Sequence, residues 1–238
     1  MELIKNNENK VVFKAEVEES LANAIRRFLG EILILAIEEV EISKNNSPLY
    51  DETISHRMGL IPLKTEKSMN SKTELKIKLN SKKEGIVKAE EIKGDVEIVL
   101  PNIPITYLDK NQELVLTAIA KLGRGSEHSK YSPGLMYYRN IVEILLDKSL
   151  KEEIKKIFPD LEIKERGGKI LILDDDEKEI ADAIEGVAEE KNKEVEIAPS
   201  KELIITIESF GQISPKEMVK KSIEEIQNSL KDLIKELK

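Results

Sequence analysis

Residues Ser47–Leu63 read SPLYDETISHRMGLIPL, and their chemistry differs from that of the chain on either side. An apolar run, Ile32–Ile42, precedes them and lysine-rich strand patterns follow. Within the stretch, Asp51 and Glu52 come before Ile54 and Met58, which are spaced i and i+4. This spacing predicts a short helix whose acidic first turn faces the positive end of the helix dipole. Gly59 and Pro62 close it, because neither residue favours continuing a helix. His56, Arg57 and the Leu60–Leu63 tail give the segment a mixture of charged and apolar groups suited to meeting a partner.

Three further stretches have the same character: SLANAIRRFLGE at 20–31, AIAKLGRGSEHSKYSPG at 118–134 and IESFGQISPKEM at 207–218. Together with DETISHRMGLIPL, and in this order, they resemble the D-subunit family of archaeal RNA polymerase. That family is related to the bacterial alpha subunit N-terminal domain and to the third-largest subunit of the eukaryotic enzymes. The four stretches run from residue 20 to residue 218.

The residues themselves support an α+β chain. Leu3–Lys5 and Val11–Glu18 read as a hairpin, with Val11, Phe13, Ala15 and Val17 on the buried face and Val12 on the other. Ser20 is the expected cap of a helix with an apolar stripe of Leu21, Ile25, Phe28 and Leu29 packed inward. Asn23, Arg26 and Arg27 share its polar side. Ile32–Ile42 follows as a strand. Residues 43–146 read as a mainly-β insert domain with strands at Glu74–Leu79, Val96–Leu100, Leu114–Ala120 and Tyr137–Leu146.

Residues 147–200 hold 17 acidic and 10 basic side chains, which accounts for all but one unit of the net charge of −8. Helices marked by Ile154–Phe158 and Ile180–Val187 alternate there with strands at Leu161–Ile163, Lys169–Leu173 and Val195–Ile197. The resemblance places a small ferredoxin-like α/β module at this point. Another strand, Leu203–Ile207, leads to Ser214-Pro215-Lys216-Glu217, which supplies an N-cap, a proline at the first helical position and a capping-box glutamate. In the final helix Val219, Ile223, Ile226, Leu230, Leu233 and Leu237 step by 4, 3, 4, 3 and 4, a heptad seam. The expected organisation is a discontinuous sheet-plus-helix dimerisation domain from 1–42 and 201–238, the β insert at 43–146, and the acidic module at 147–200.

Composition narrows the function. With 40% hydrophobic and 35% charged residues the chain is globular, and no apolar run reaches the roughly 20 residues of a membrane span. No signal-peptide pattern opens it, so the cytoplasm is the expected location. A pI near 5.2 counts against a free nucleic-acid-binding module. Some members of the resembled family carry cysteines that hold iron–sulfur clusters in an inserted domain. This chain has no cysteine, so no cluster, disulfide or thiolate zinc site is expected, and with only two histidines no metal site either.

Three motifs have chemical alternatives. His56 and His128 could meet as metal ligands or an acid–base pair, but two imidazoles lack a third ligand and a patterned partner. Gly123-Arg124-Gly125-Ser126 could cradle a phosphate, although it lacks the GK[ST] ending of a nucleotide loop. A stand-alone phosphate- or nucleotide-handling enzyme built on these groups is the rival reading. Asp174–Glu177 could bind a cation, or could cap the helix that follows.

The resemblance implies a non-catalytic scaffold subunit of archaeal DNA-dependent RNA polymerase. It would pair with subunit L through Phe28, Val219, Ile223, Ile226, Leu230, Leu233 and Leu237. It would meet the large subunits through Asn23, Arg26, Arg27, His56, Arg57, Arg124 and His128. The small subunits N and P complete the expected partners, without direct DNA binding. Nucleotidyl transfer and its magnesium would belong to the largest subunit, leaving no catalytic residue or cofactor here.

Overall fold

The computed structural model describes residues 1–176 and 179–237. In chain order its elements begin with strands β1 (Glu2–Asn6) and β2 (Lys10–Glu16), helix α1 (Glu19–Phe28), strand β3 (Ile34–Asn45) and helix α2 (Asp51–Gly59). Six strands follow: β4 (Glu74–Ser81), β5 (Gly85–Lys88), β6 (Lys93–Gly94), β7 (Pro104–Leu108), β8 (Leu114–Gly123) and β9 (Gly134–Asp147). Then come α3 (Lys151–Ile157), β10 (Ile163–Arg166), β11 (Lys169–Asp174), α4 (Ala181–Glu190), β12 (Val195–Ser209) and α5 (Pro215–Glu236). The fold is α+β, as the sequence leads one to expect. Contacts divide it into two compact units, Met1–Asn23 with Met136–Ile207, and Ala24–Leu135 with Glu208–Lys238.

The first unit is built on one sheet in the order β1-β2-β12-β9-β11-β10. Strand β9 contains Tyr137–Leu146, so this segment, grouped with the β insert from sequence, pairs beside β11 and β12. The N-terminal hairpin sets Leu3 opposite Phe13 and Asn6 opposite Val11. Val12 departs from expectation. It is fully buried against Ile141 and Ile204, so both sides of the sheet are covered where β2 passes. Further along, Ile144 and Leu146 of β9 and Ile170 and Ile172 of β11 share a core with Ile154 of α3 and Ile184 and Ala188 of α4. The turn between β10 and β11 uses Gly167 and Gly168, both at positive φ (57° and 81°), the backbone that a tight two-residue hairpin requires.

Strand β12 corrects a second expectation. Val195–Ile197 and Leu203–Ile207 belong to one continuous strand. Glu196–Pro199, Lys201 and Glu202 are exposed, so the apolar signal lapses while the backbone pairing does not.

Asp174 settles the acidic run. Its side chain is 1% exposed, and its Oδ2 accepts hydrogen bonds from the amides of Ile180 (3.0 Å) and Ala181 (3.2 Å) at the start of α4. Its Oδ1 pairs with Arg139 at 2.7 Å. Asp175 pairs with Lys14 at 2.5 Å, and Glu177 lies outside the described residues.

The second unit has a sheet ordered β3-β8-β4-β6 and a two-stranded ribbon, β5-β7. Strand β8 lies antiparallel between β3 and β4, with Ala118 opposite both Val40 and Ile77. Ile54 and Met58 of α2 pack with Leu35, Ile37, Ile77, Leu79, Leu116 and Ala118 in the main core. Val96–Leu100 is no strand. It makes only a bridge between Ile98 and Leu63 and two amide bonds to the Pro62–Lys64 tail, a partner too short to extend a ladder. Helix α1 begins at Glu19, so Ser20 lies in its first turn and is not the cap. Leu21 is half exposed and Ile25 and Phe28 are only partly covered, so of the expected inward stripe only Leu29 is buried.

Candidate functional site

Helix α5 starts where the sequence places it. The Ser214 hydroxyl accepts the Glu217 amide (3.3 Å), Pro215 occupies the first turn, and the Glu217 carboxylate pairs with Lys67 at 2.9 Å. Pro215, Met218 and Ser222 form its buried side. The Ser222 hydroxyl donates to the Ile25 carbonyl (2.6 Å), fastening the helix beside the end of α1. Beyond this point the helix loses its neighbours, and every residue from Gln227 to Leu237 is exposed. On the seam, Val219 and Ile226 are half-buried, Ile223 is 38% exposed, Leu230 54%, Leu233 51% and Leu237 79%. Ile234, off the strict heptad and not singled out from sequence, is exposed as well. Phe28 is half-buried. The seam side chains leave an exposed apolar ladder along the C-terminal half of the helix.

The basic residues occupy several places. Arg26 and Arg27 are exposed on the last turn of α1, and Asn23 is half-buried one turn earlier. Arg124 is turned inward to a clip, its Nη1 lying 3.1 Å from Glu31 and 3.9 Å from Glu225 of α5. Arg57 donates to the Ile105 carbonyl (2.9 Å), tying α2 to β7. Its guanidinium is thus already engaged within the fold.

The glycine loop is stitched down rather than open. The Ser126 amide donates to the Gly30 carbonyl (3.1 Å), and the amides of Glu127 and His128 both donate to the Arg124 carbonyl. The Arg124 amide is taken by the Glu127 carboxylate at 3.2 Å. Gly125 passes so close to Gly30 that a Cβ there would come within 3.2 Å of the Gly30 Cα. A phosphate cradle needs free amides pointing at the anion, and here they serve the loop itself.

His56 and His128 do come together. Both line a small cleft of about 190 Å³ with Glu38 and Lys130. His128 Nδ1 accepts the Lys130 amide (3.1 Å), which leaves Nε2 for the exterior. Glu38 forms the cleft's electrostatic anchor, pairing with the Lys130 ammonium and accepting the Tyr131 hydroxyl at 2.5 Å. Hydrogen bonds from Lys130 and Tyr131 hold the Glu38 carboxyl below its ordinary range, while burial and Glu38 raise the Tyr131 phenol. The Tyr131 ring packs against Gly123, where a Cβ would come 2.4 Å from it. The Glu38–Lys130–Tyr131 network has no sequence signature, because its members are separated by some ninety positions. Among the described residues no group of three or more His, Asp or Glu side chains is placed to hold a metal ion.

A capped helix with an exposed apolar ladder and a cleft lined by His56, His128, Glu38 and Lys130 are the prominent surface features of the second unit. Residues 40–137 match the family described as the RNA polymerase Rpb3/RpoA insert domain. Over its full length the chain is 32% identical to DNA-directed RNA polymerase subunit Rpo3 of Pyrococcus horikoshii, covering 97% of that protein. It is 33% identical to the Pyrococcus furiosus subunit Rpo3, again over the full chain and 96% of the relative. The Thermococcus kodakarensis subunit is 32% identical over 93% of this chain and 90% of its own length. The chain belongs to the Rpo3 family of archaeal DNA-directed RNA polymerase subunits, within the broader Rpb3/RpoA group.

Proposed function

We propose that this chain is the D-type scaffold subunit of an archaeal DNA-dependent RNA polymerase. In this reading it pairs with subunit L, and the pair, with N and P, receives the two largest subunits. The observation that carries the reading is α5: Leu230, Leu233 and Leu237 keep half or more of their surface in water on a helix that is capped and packed only at its N-terminal end. Covering a leucine contributes about 1.5–3 kcal/mol, so the ladder can drive association once a partner is present.

The exposed Arg26 and Arg27 and the cleft-lining His56 and His128 suit contact with a large subunit. Arg57 and Arg124 act in this reading by shaping that surface from within. Nucleotidyl transfer and its magnesium reside in the largest subunit, and this chain holds no iron–sulfur cluster or other cofactor. The match to an insert domain at 40–137 supports an insert that ends near residue 137, before β9 enters the sheet of the first unit, rather than at 146. No helix among the described residues is long and apolar enough to cross a membrane, which fits a place in the cytoplasm.

Coexpression with the L subunit, followed by a mass measurement of the purified product, tests the proposal. A one-to-one heterodimer is expected. A chain that remains alone, or pairs with itself, overturns it.

A further inference from the structure

The sheet of the second unit has one face on its core and one open. On the open face Lys76, Lys78 and Asn80 stand at alternate positions of β4, and the register sets Lys78 directly opposite Lys93 of β6. With Gly94 these side chains line a depression of about 510 Å³. Its floor is backbone, because β6 lies flush on β4: a Cβ at Gly94 would come 2.7 Å from the Ile77 side chain and 3.0 Å from the Lys76 carbonyl. Strand β6 covers only Ile77 and Lys78, leaving the rest of β4's outer edge without a partner strand.

The charges here are uncompensated. Lys121, on the neighbouring strand, is held between Glu39 (2.9 Å) and Glu74 (3.4 Å), and Lys44 and Lys82 share Glu113. Among the described residues the side chains of Lys76, Lys78 and Lys93 make no ion pair or hydrogen bond. Like charges set directly across a strand pair destabilise it. A single edge lysine guards a sheet against unwanted pairing, but a facing pair adds a cost that such a guard does not require.

We propose that this groove receives an extended acidic segment of another protein, laid along β4 with carboxylate side chains at alternate positions. Alternate residues of an extended chain recur every 6–7 Å or so, the spacing of Lys76 and Lys78. Because β6 occupies the β4 edge at Ile77 and Lys78, the segment lies across the open face, its carboxylates meeting the lysine ammoniums. A nucleic-acid strand is the weaker match. The groove offers neither an arginine fork for phosphate nor an aromatic ring for a base, and the chain as a whole is acidic.

The test uses the full chain and a short fluorescent peptide with glutamate at every second position and threonine or valine between. Controls are a peptide of the same composition with its glutamates in one block, and a single-stranded DNA of similar length. Anisotropy at low salt should show saturable binding of the alternating peptide that weakens as salt is added. K76Q/K78Q/K93Q should reduce that affinity about tenfold or more, whereas K72Q/K83Q/K110Q, of equal charge and also at exposed positions, should leave it within about twofold. Bound peptide should also slow hydrogen exchange in β4 of the unsubstituted chain. The proposal is overturned by absence of saturable binding, by equal losses in the two variants, by equal affinity for the block peptide, or by tighter binding of the DNA.

Discussion

Replacing Leu230 by aspartate separates a helix that waits for a partner from one that serves its own fold. Leu230 is 54% exposed and Leu233, one turn on, 51%. Complete burial of a leucine contributes about 1.5–3 kcal/mol, so docking a partner on the remaining surface gains about 1 kcal/mol at each position. An aspartate at 230 forfeits that gain and adds the cost of desolvating an unpaired carboxylate, several kcal/mol. Their sum, about 3 kcal/mol or more, raises the dissociation constant over a hundredfold. The isolated chain should scarcely notice, since exposed positions usually change stability by less than about 0.5 kcal/mol. The assay is thermal melting of the chain alone, followed by size-exclusion chromatography with light scattering on the product coexpressed with L. An unchanged heterodimer refutes a docking role for the seam, and a large fall in the melting temperature of the lone chain shows that the seam is internal.

Four further outcomes are expected. Arg26→Glu/Arg27→Glu should keep the pairing with L yet weaken recruitment of the second-largest subunit by about 2 kcal/mol or more, read in a pull-down with both partners. Asp174→Ala removes the acceptor for Arg139 and for two amides of α4, and should cost about 3–5 kcal/mol in urea unfolding, with early loss of hydrogen-exchange protection in α4. Glu38 has its carboxyl lowered from 4.5, chiefly by hydrogen bonds from Lys130 and Tyr131, so its stabilising share is present above that pH and lost as pH falls through the folded value. Glu38→Gln should therefore flatten the acid limb of a stability–pH curve, and an unaltered limb counts against the network. Elemental analysis of the purified chain should find no stoichiometric iron or zinc, and one tightly held atom per chain contradicts the cofactor-free reading.

What the sequence disclosed depended on whether the signal was local. Ser214, Pro215 and the stepping of Val219 to Leu237 mark α5 because capping and periodicity lie within neighbouring residues. The acidic opening of α2 is legible for the same reason. The sequence divides strand β12 because the mostly solvent-facing residues from Glu196 to Glu202 lack the apolar alternation of a half-buried strand, although they belong to the strand. Ribbon strands β5 and β7 carry no clear signal in the sequence, being four and five residues long, with Pro101 between them and Pro104 opening β7. Val12 and Leu21 went astray for opposite reasons: a second layer covers one, and nothing within the described residues fully covers the other. The cleft was half legible. His56 and His128 stood out as the only histidines, but nothing local in the sequence links Glu38 to Lys130 and Tyr131.

The projecting half of α5 also bears on supply. In the proposed pairing, the leucine ladder that takes a partner is also open to another unpaired copy as concentration rises. The chain's apparent stability then rises with the amount of partner through mass action. Synthesis in excess of that partner should therefore yield aggregated or degraded protein rather than a reserve. On this account the helix acts as a gauge of stoichiometry, allowing the chain to accumulate only as fast as its complement appears.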